Sequence, residues 1–319
     1  MATSNKVKKT LVLNNGNEMP AIGLGTYKSS AEQLEKAIED AIDCGYRHFD
    51  CAWFYGNEAV IGKAIKSKIN EGVVKREELF ITSKLWNNFH DRKNVMPTLK
   101  ETLASLNLSY IDLYLIHWPF AFKEDVSLWP VSEGKTAYSD VDYLETWAAL
   151  EECVALGLVR NVGVSNFNSE QIGRVLEVAK IRPVVNQVEC NPNFNQKKLI
   201  EFCKGEGIVV TAYCPLGRSE NAGMPGFPEP TIYDPKVAEI AETHNKTAAQ
   251  VVLNYLLTLG VCVIPKSVTK SRILENFDIF DFELSEEEVQ YLDSCNKNVR
   301  VCPLTMFADH PNYPFNTEY

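Results

Sequence analysis

Four residues of this sequence could together move a proton. In "RHFDCAWFYGNE" Asp50 closes an apolar run and Tyr55 follows inside an aromatic cluster. "ITSKLW" sets Lys84 among apolar neighbours, and "YIDLYLIHWP" does the same with His117. A lysine in such surroundings needs a partner or a depressed pKa. The ammonium of Lys84 is expected to stabilise a Tyr55 phenolate and so draw its pKa from about 10 towards the working range. Asp50 would hold Lys84 charged and in place, and His117 would orient and polarise a carbonyl oxygen. A phenol tuned in this way delivers a proton to an oxygen that is becoming an alkoxide. Each residue alone has a plainer explanation: Asp50 as a turn cap, His117 as a satisfied core histidine, Tyr55 as a core or rim aromatic.

Such groups must be brought together by a scaffold, and the sequence repeats one arrangement. Apolar runs end, in order, at Asp50, Lys84, His117, Ser165–Asn166, Gln187, Tyr213 and Lys266. Packing alone does not call for polar residues at the same end of successive runs. Between the runs lie segments of helical period. In "SAEQLEKAIEDAIDCG", Leu34, Ala37, Ile38, Ala41 and Ile42 share a stripe and Gly45 stops it. "TLVLNNGNEMPAIGLGT" reads as an amino-terminal hairpin. Strands with two apolar faces, separated by helices, imply a parallel sheet covered on both sides. About eight such units predict a single (β/α)8 TIM barrel over residues 1–319, with functional groups at the carboxyl ends of the strands. A doubly wound open sheet would bring G-x-G-x-x-G to the first βα turn, and "GLGTYKS" is not that motif. "LSEEEVQYLDSC" adds a late helix with Ser285 and Glu288 as a capping box. Residues 296–319 read as a mobile tail.

Composition excludes several roles. A net charge of −10 argues against a nucleic-acid or anionic-membrane binder, which would carry a basic face. The nine cysteines are scattered, without C-x-x-C or metal-ligand spacing, and fit reduced cytoplasmic thiols better than a disulfide framework. "MATSNKVKKT" has no apolar core of a secretory signal. "VVLNYLLTLGVCVIP" is too short and too interrupted to span a bilayer.

The chain resembles the aldo-keto reductases along essentially its whole length. The resemblance rests on "MPAIGLGTY", "GYRHFDCAWFYGNE", "ITSKLW", "YIDLYLIHWP", "GLVRNVGVSNFN", "NQVECNP", "YCPLG" and "VIPKSVTKSRILEN", all in family order. It implies a barrel that binds NADPH/NADP+ at the strand ends and reduces aldehydes and ketones by hydride transfer. The family's catalytic tetrad falls on Asp50, Tyr55, Lys84 and His117. By the same resemblance Ser165, Asn166 and Gln187 hold the nicotinamide carboxamide and Tyr213 stacks on its ring. Gly25, Thr26, Tyr27, Asp50, Pro215, Leu216 and Ile264 join the cofactor set, Leu216 in the loop that cradles the pyrophosphate. Lys266, Ser267 and Arg272 suit a 2′-phosphate, with Val268 and Thr269 beside it, and Glu275 and Asn276 match adenine-holding positions. The implied substrate wall is Tyr27, Tyr55, Trp86, His117, Trp118, Trp129, Cys302 and Leu304.

The chain departs from aldose-reductase-like members where Tyr27 stands for a common tryptophan, Trp129 for a frequent phenylalanine and Val299 for a tryptophan. Arg218 and Glu220 replace a frequent serine and aspartate in the loop over the cofactor. His117 in place of glutamate favours carbonyl chemistry over steroid double-bond reduction. The aromatic wall suits hydrophobic carbonyls, ketosteroid and ecdysteroid types among them, more than polar sugars. Loops 119–142, 217–235 and 298–319 would set specificity. The expectation is a cytoplasmic, monomeric NADPH-dependent carbonyl reductase. The alternatives are a Schiff-base barrel lyase using Lys84 and a non-enzymatic NADPH-binding barrel.

Overall fold

Strands buried on both faces require cover on both sides, and this chain supplies it by curling one parallel sheet upon itself. The structure, a computed structural model, describes residues 7, 9–124, 126–132 and 135–319. Most of the amino-terminal stretch read for a leader, residues 1–6 and 8, lies outside the described residues, as do 125, 133 and 134 of the 119–142 loop. The sheet runs β1 (Leu24–Gly25), β2 (His48–Asp50), β3 (Phe80–Leu85), β4 (Ile111–Ile116), β5 (Val159–Ser165), β6 (Val185–Glu189), β7 (Val209–Tyr213) and β8 (Cys262–Val263), each paired with the next in parallel. Parallel bridges from Ile22 to Val263 and from Gly25 to Lys266 join the first strand to the last and close the barrel. Gly25 is required there, because a Cβ would lie 2.9 Å from the carbonyl oxygen of Ile264.

Helices α1 (Ala31–Cys44), α2 (Glu58–Asn70), α3 (Arg92–Leu106), α4 (Tyr143–Ala155), α5 (Ser169–Val178) and α6 (Lys197–Gly205) follow the first six strands. Two helices, α7 (Pro235–Thr243) and α8 (Ala248–Thr258), stand between β7 and β8, and α9 (Lys270–Phe277) follows β8. The late helix α10 (Glu286–Ser294) carries the expected box, Ser285 and Glu288 capping each other. Starts and stops are chemical: Ser30 accepts from the Gln33 backbone at the head of α1, and Gly45 at φ +114° ends it.

One end of the barrel is shut. The hairpin Thr10–Val12 with Glu18–Pro20 turns at Gly16 (φ +86°) and buries Leu13 and Met19 among Phe80, Leu113 and Val185. Asn15 and Asn17 both donate to Asn161 Oδ1, at 2.7 and 2.8 Å, and pin the hairpin to the start of β5. The other end, where the strands finish, stays open.

The tail differs from expectation: it is packed. Phe307 is fully buried, His310 and Tyr313 nearly so, and the backbone of Ser169 donates to the Tyr319 carbonyl at 3.1 Å. Its aromatics find partners in the loop after β4, where Phe120 and Phe122 are buried. That loop also folds a small hairpin, Val131–Ser132 with Lys135–Thr136. Hydrophobic partners this distant in sequence leave no local periodicity to read.

Candidate active site

Register decides which side chains meet at the open end. β2 and β3 pair Asp50 with Thr82, so Lys84 extends past the end of β2. Lys84 is fully buried, and its Nζ donates to Asp50 Oδ2 at 2.7 Å and to the Cys51 carbonyl at 2.8 Å. The second Asp50 oxygen accepts from Gln187 Nε2 at 2.8 Å, across the barrel from β6. A buried ion pair is tolerable only when its remaining hydrogen-bonding capacity is used, and here both carboxylate oxygens are engaged. Ser83, one position earlier, donates instead to the buried Glu58 at 2.6 Å.

Tyr55 ends a short 3-10 turn, Trp53–Tyr55, closed by Gly56 at φ +64°. The Lys84 ammonium lies 5.2 Å from the centre of the Tyr55 ring. The Tyr55 and His117 rings meet edge to face at 6.0 Å. Here one expectation is corrected. The Tyr55 phenol is not drawn down: burial pushes its pKa well above the ordinary value, and the Asp50 carboxylate pushes the same way. The residue is half-buried, with its open side on the cavity, so this holds for a site from which water is excluded.

His117 follows β4 directly, and its carbonyl accepts from Asn166 Nδ2 at 2.9 Å. Burial, then the Lys84 charge and His90, hold its imidazole well below the usual histidine range, so the ring is neutral. Its Nδ1 is buried without a hydrogen-bond partner. The tautomer with the proton on Nε2 avoids burying an unpaired N–H there.

Next to this group the ends of β5, β6 and β7 are tied together. Ser165 Oγ donates to the Gln187 carbonyl at 2.9 Å, and Tyr213 donates to Asn166 Oδ1 at 2.8 Å. Asn166 holds a left-handed φ of +62°, which turns its amide back towards His117. Thr26 Oγ1 donates to the Asp50 carbonyl at 2.8 Å. The tetrad, Gly25, Thr26, Tyr27, Ser165, Asn166, Gln187, Tyr213, Pro215, Leu216, Ile264, Lys266 and Arg272 surround one cavity of about 740 Å³, apart from Lys84, which lies beneath its wall. Ser267, Val268, Thr269, Glu275 and Asn276 do not line it. Ser267 accepts from the Thr269 backbone at the start of α9, Glu275 accepts from Thr247, and Asn276 is buried.

The opposite wall is aromatic. Phe54 stacks on Trp86 at 3.8 Å, and Trp129 lies parallel to Trp86 at 6.0 Å. Trp118, Cys302 and Leu304 complete it, with Tyr27 set 4.9 Å from Tyr55. Trp53 packs instead on Phe89 and donates to Glu101. Phe54, one of the aromatics between Asp50 and Tyr55 that read as a site wall or as packing, lines the cavity, as do Cys214 and Met306, which sequence patterning did not single out. Nor did it mark Glu189, fully buried, whose oxygens accept the Val301 and Cys302 backbone N–H groups at 2.7 and 2.8 Å. A carboxylate ending an apolar strand was the available signal for Glu189. Among the described residues no His, Cys, Asp and Glu cluster could hold a metal ion.

Known proteins resemble this chain in sequence and in fold. Residues 21–297 match the aldo/keto reductase family. Aldo-keto reductase family 1 member A1 of Bos taurus is 48% identical over 97% of this chain and 98% of its own. The protein of that name from Homo sapiens is 46% identical, with 97% and 98% covered. Among solved structures, the aldose reductase of Schistosoma japonicum superposes with a TM-score of 0.92 at 43% identity, covering 98% of this chain and all of that one. A Bombyx mori aldo-keto reductase in complex with NADP gives 0.89 at 43% identity, covering 96% and 98%. With barrel, open-end cavity and relatives in agreement, this chain belongs to the aldo/keto reductase family.

Proposed function

We propose that this chain, acting as one catalytic unit over residues 1–319, reduces hydrophobic aldehydes and ketones to alcohols with NADPH. The observation that carries the reading is the buried Asp50–Lys84 pair at 2.7 Å beside Tyr55 and His117, in a cavity with an aromatic wall. The cavity suits a dinucleotide: Lys266 and Arg272 are exposed and pair with no carboxylate among the described residues, as a phosphate site requires. Ser165, Asn166 and Gln187 would hold the nicotinamide amide, with Tyr213 against the ring. When bound, NADPH supplies the hydride for the carbonyl carbon.

The chain's own residues supply the rest. Neutral His117 donates from Nε2 to the carbonyl oxygen and fixes its place. Tyr55 gives that oxygen a proton as it becomes an alkoxide. A phenol with a raised pKa still serves, because an alkoxide is a stronger base than any phenolate. Lys84 acts at the moment the phenolate forms, its fixed positive charge offsetting the new negative one without reorganisation. Asp50 and Gln187 keep that charge in place. The aromatic wall excludes water and favours apolar carbonyls over sugars.

A Schiff-base lyase is disfavoured because Lys84 Nζ is inaccessible and twice hydrogen-bonded. A barrel that only binds nucleotide would have no use for the buried pair beneath Tyr55. We take the enzyme to be a cytoplasmic monomer acting on small-molecule carbonyls; among the described residues no helix is long and apolar enough to cross a membrane. Tyr55→Phe is expected to lower turnover of aromatic aldehydes by at least about 10³-fold, while NADPH still binds in a fluorescence titration. Unchanged reduction in that variant, or a preference for glucose over aromatic aldehydes, would overturn the proposal.

A further inference from the structure

Arg218 joins two walls of the cavity that are remote in sequence. It lies in the loop after β7, with its side chain one quarter exposed at 25%. Nη2 donates to Glu220 Oε2 at 2.9 Å, and the same oxygen lies 3.7 Å from Lys28 Nζ in the loop after β1. Nη1 reaches the other way and donates to Cys302 Sγ at 3.5 Å. Cys302 belongs to the tail, and its backbone N–H is held by Glu189 at the end of β6. A continuous chain of contacts, Lys28–Glu220–Arg218–Cys302–Glu189, therefore crosses the mouth.

The Cys302 contact is unusual for an arginine. A thiol is a weak acceptor, whereas a thiolate matches a guanidinium well. Four groups face that sulfur. The hydrogen bond from Cys214 and the Arg218 charge draw its pKa down, burial and Glu189 push it up, and Tyr213 lies close enough to feel its charge. The loop root is fixed independently: Gly217, at φ +73°, sits against Pro230, where a Cβ would come within 3.2 Å.

We infer that Arg218 is a positioning residue that ties the loop after β7, which lines the cavity proposed for the dinucleotide, to Cys302 in the substrate wall, so that cofactor binding and the shape of the carbonyl pocket change together. The inference rests on the NADPH reading above and adds a specificity-setting residue to it. A serine side chain at this position would be too short to reach Cys302.

The test compares wild type with Arg218→Ser, Arg218→Lys and Glu220→Gln. Three quantities are read: the NADPH Kd by fluorescence, KM and kcat for a bulky aromatic and a small aliphatic aldehyde, and the pH profile of Cys302 alkylation by iodoacetamide, followed on the tail peptide by mass spectrometry. Arg218→Ser is expected to weaken NADPH by about two- to fivefold. It should raise KM for the bulky aldehyde more than for the small one, with kcat moving less. Its Cys302 alkylation profile should shift to higher pH, because the cation that favours the thiolate is gone. Arg218→Lys should restore that profile in part. Glu220→Gln should weaken NADPH and leave the profile close to wild type. A wild-type alkylation profile in Arg218→Ser, or equal KM changes for both aldehydes, would overturn the inference. Failure of wild type to oxidise NADPH with any aldehyde would instead remove the proposed function, while the alkylation profiles would still report the Arg218–Cys302 contact.

Discussion

A buried ion pair is costly to break and cheap to replace, and the Asp50–Lys84 pair allows the two properties to be separated. Lys84→Met leaves the Asp50 carboxylate buried with Gln187 as its remaining side-chain donor, and is expected to lower unfolding stability by about 3–5 kcal/mol. Adding Asp50→Asn should recover most of that loss and none of the turnover. Urea denaturation beside an NADPH oxidation assay checks both halves. The two titrating groups set the pH dependence. His117 is held well below the ordinary histidine value, so it stays neutral as pH falls through the range where an exposed histidine charges. Tyr55 is pushed above the ordinary phenol value, so it keeps its proton as pH rises. Both active forms therefore persist together, and kcat for reduction at saturating NADPH should be flat from about pH 6 to about pH 9. A titration with its midpoint inside that window would contradict the assignment. Asp50, Lys84 and His117 were legible as polar residues ending apolar runs, and Tyr55 as a phenol in the aromatic cluster that follows Asp50. The direction of the Tyr55 shift was not, because it depends on how dry the site is and on Asp50 lying close by.

At the scale of elements, the Ser165 and Gln187 side chains proposed to hold the cofactor are brought together by how closely β5 and β6 approach. Gly163 in β5 has no room for a side chain: a Cβ would lie 2.5 Å from the Val185 carbonyl oxygen of β6 and 2.9 Å from Leu115 Cδ2. Backbone cannot swing aside, so Gly163→Ala must push the strands apart just below Ser165 and Gln187. It is expected to cost about 1–3 kcal/mol of stability and to weaken NADPH. Gly173 in α5 is the control, since a Cβ there meets nothing within 4 Å. Gly173→Ala should raise stability by roughly 0.5–1 kcal/mol through helix propensity alone. Melting temperatures moving in opposite directions in the two variants would bear this out, and a shared direction would refute it. Element order was readable because periods of two and of 3.6 are local properties. The role of Gly163 was not, because it depends on a carbonyl in the neighbouring strand. The shortness of β8 was equally hidden: "VCVIPKS" reads as a strand throughout, yet only Cys262 and Val263 pair in the sheet, with Lys266 bridging singly to Gly25.

The described chain is a barrel closed at one end by the hairpin Thr10–Val12 with Glu18–Pro20 and walled at the other by its tail. The two closures differ in kind. The hairpin inserts Leu13 and Met19 into the barrel interior, whereas the tail packs on loops above it. Phe307 is the tail's anchor, fully buried against Phe120, Phe122 and Trp129 with ring centres 5.4, 5.1 and 5.3 Å away. Removing that ring takes away a burial worth about 3–5 kcal/mol when a whole domain must unfold to expose it. The tail does not need the domain to unfold. Its other ties include Glu189 to the Val301 and Cys302 backbone, Arg218 to Cys302, Tyr138 to Asp309, Asn168 and Gln171 to the Pro314 and Asn312 carbonyls, and Ser169 to Tyr319. These reach loops, helix starts and one strand end and not the barrel interior, so the tail can open as a unit while the barrel stays folded. Phe307→Ala is therefore expected to act locally. Amide exchange should quicken in residues 299–313 and in the loop around Phe120, and stay slow in the hairpin at the far end. KM for a bulky aromatic aldehyde should rise by about tenfold, the effect of losing roughly 1.4 kcal/mol of wall contact. The NADPH Kd should change much less, since Ser165, Asn166, Gln187 and Tyr213 are held by the strands. Exchange that quickened evenly along the chain would show instead that the tail and barrel unfold as one, and the substrate wall would then be as rigid as the core beneath it.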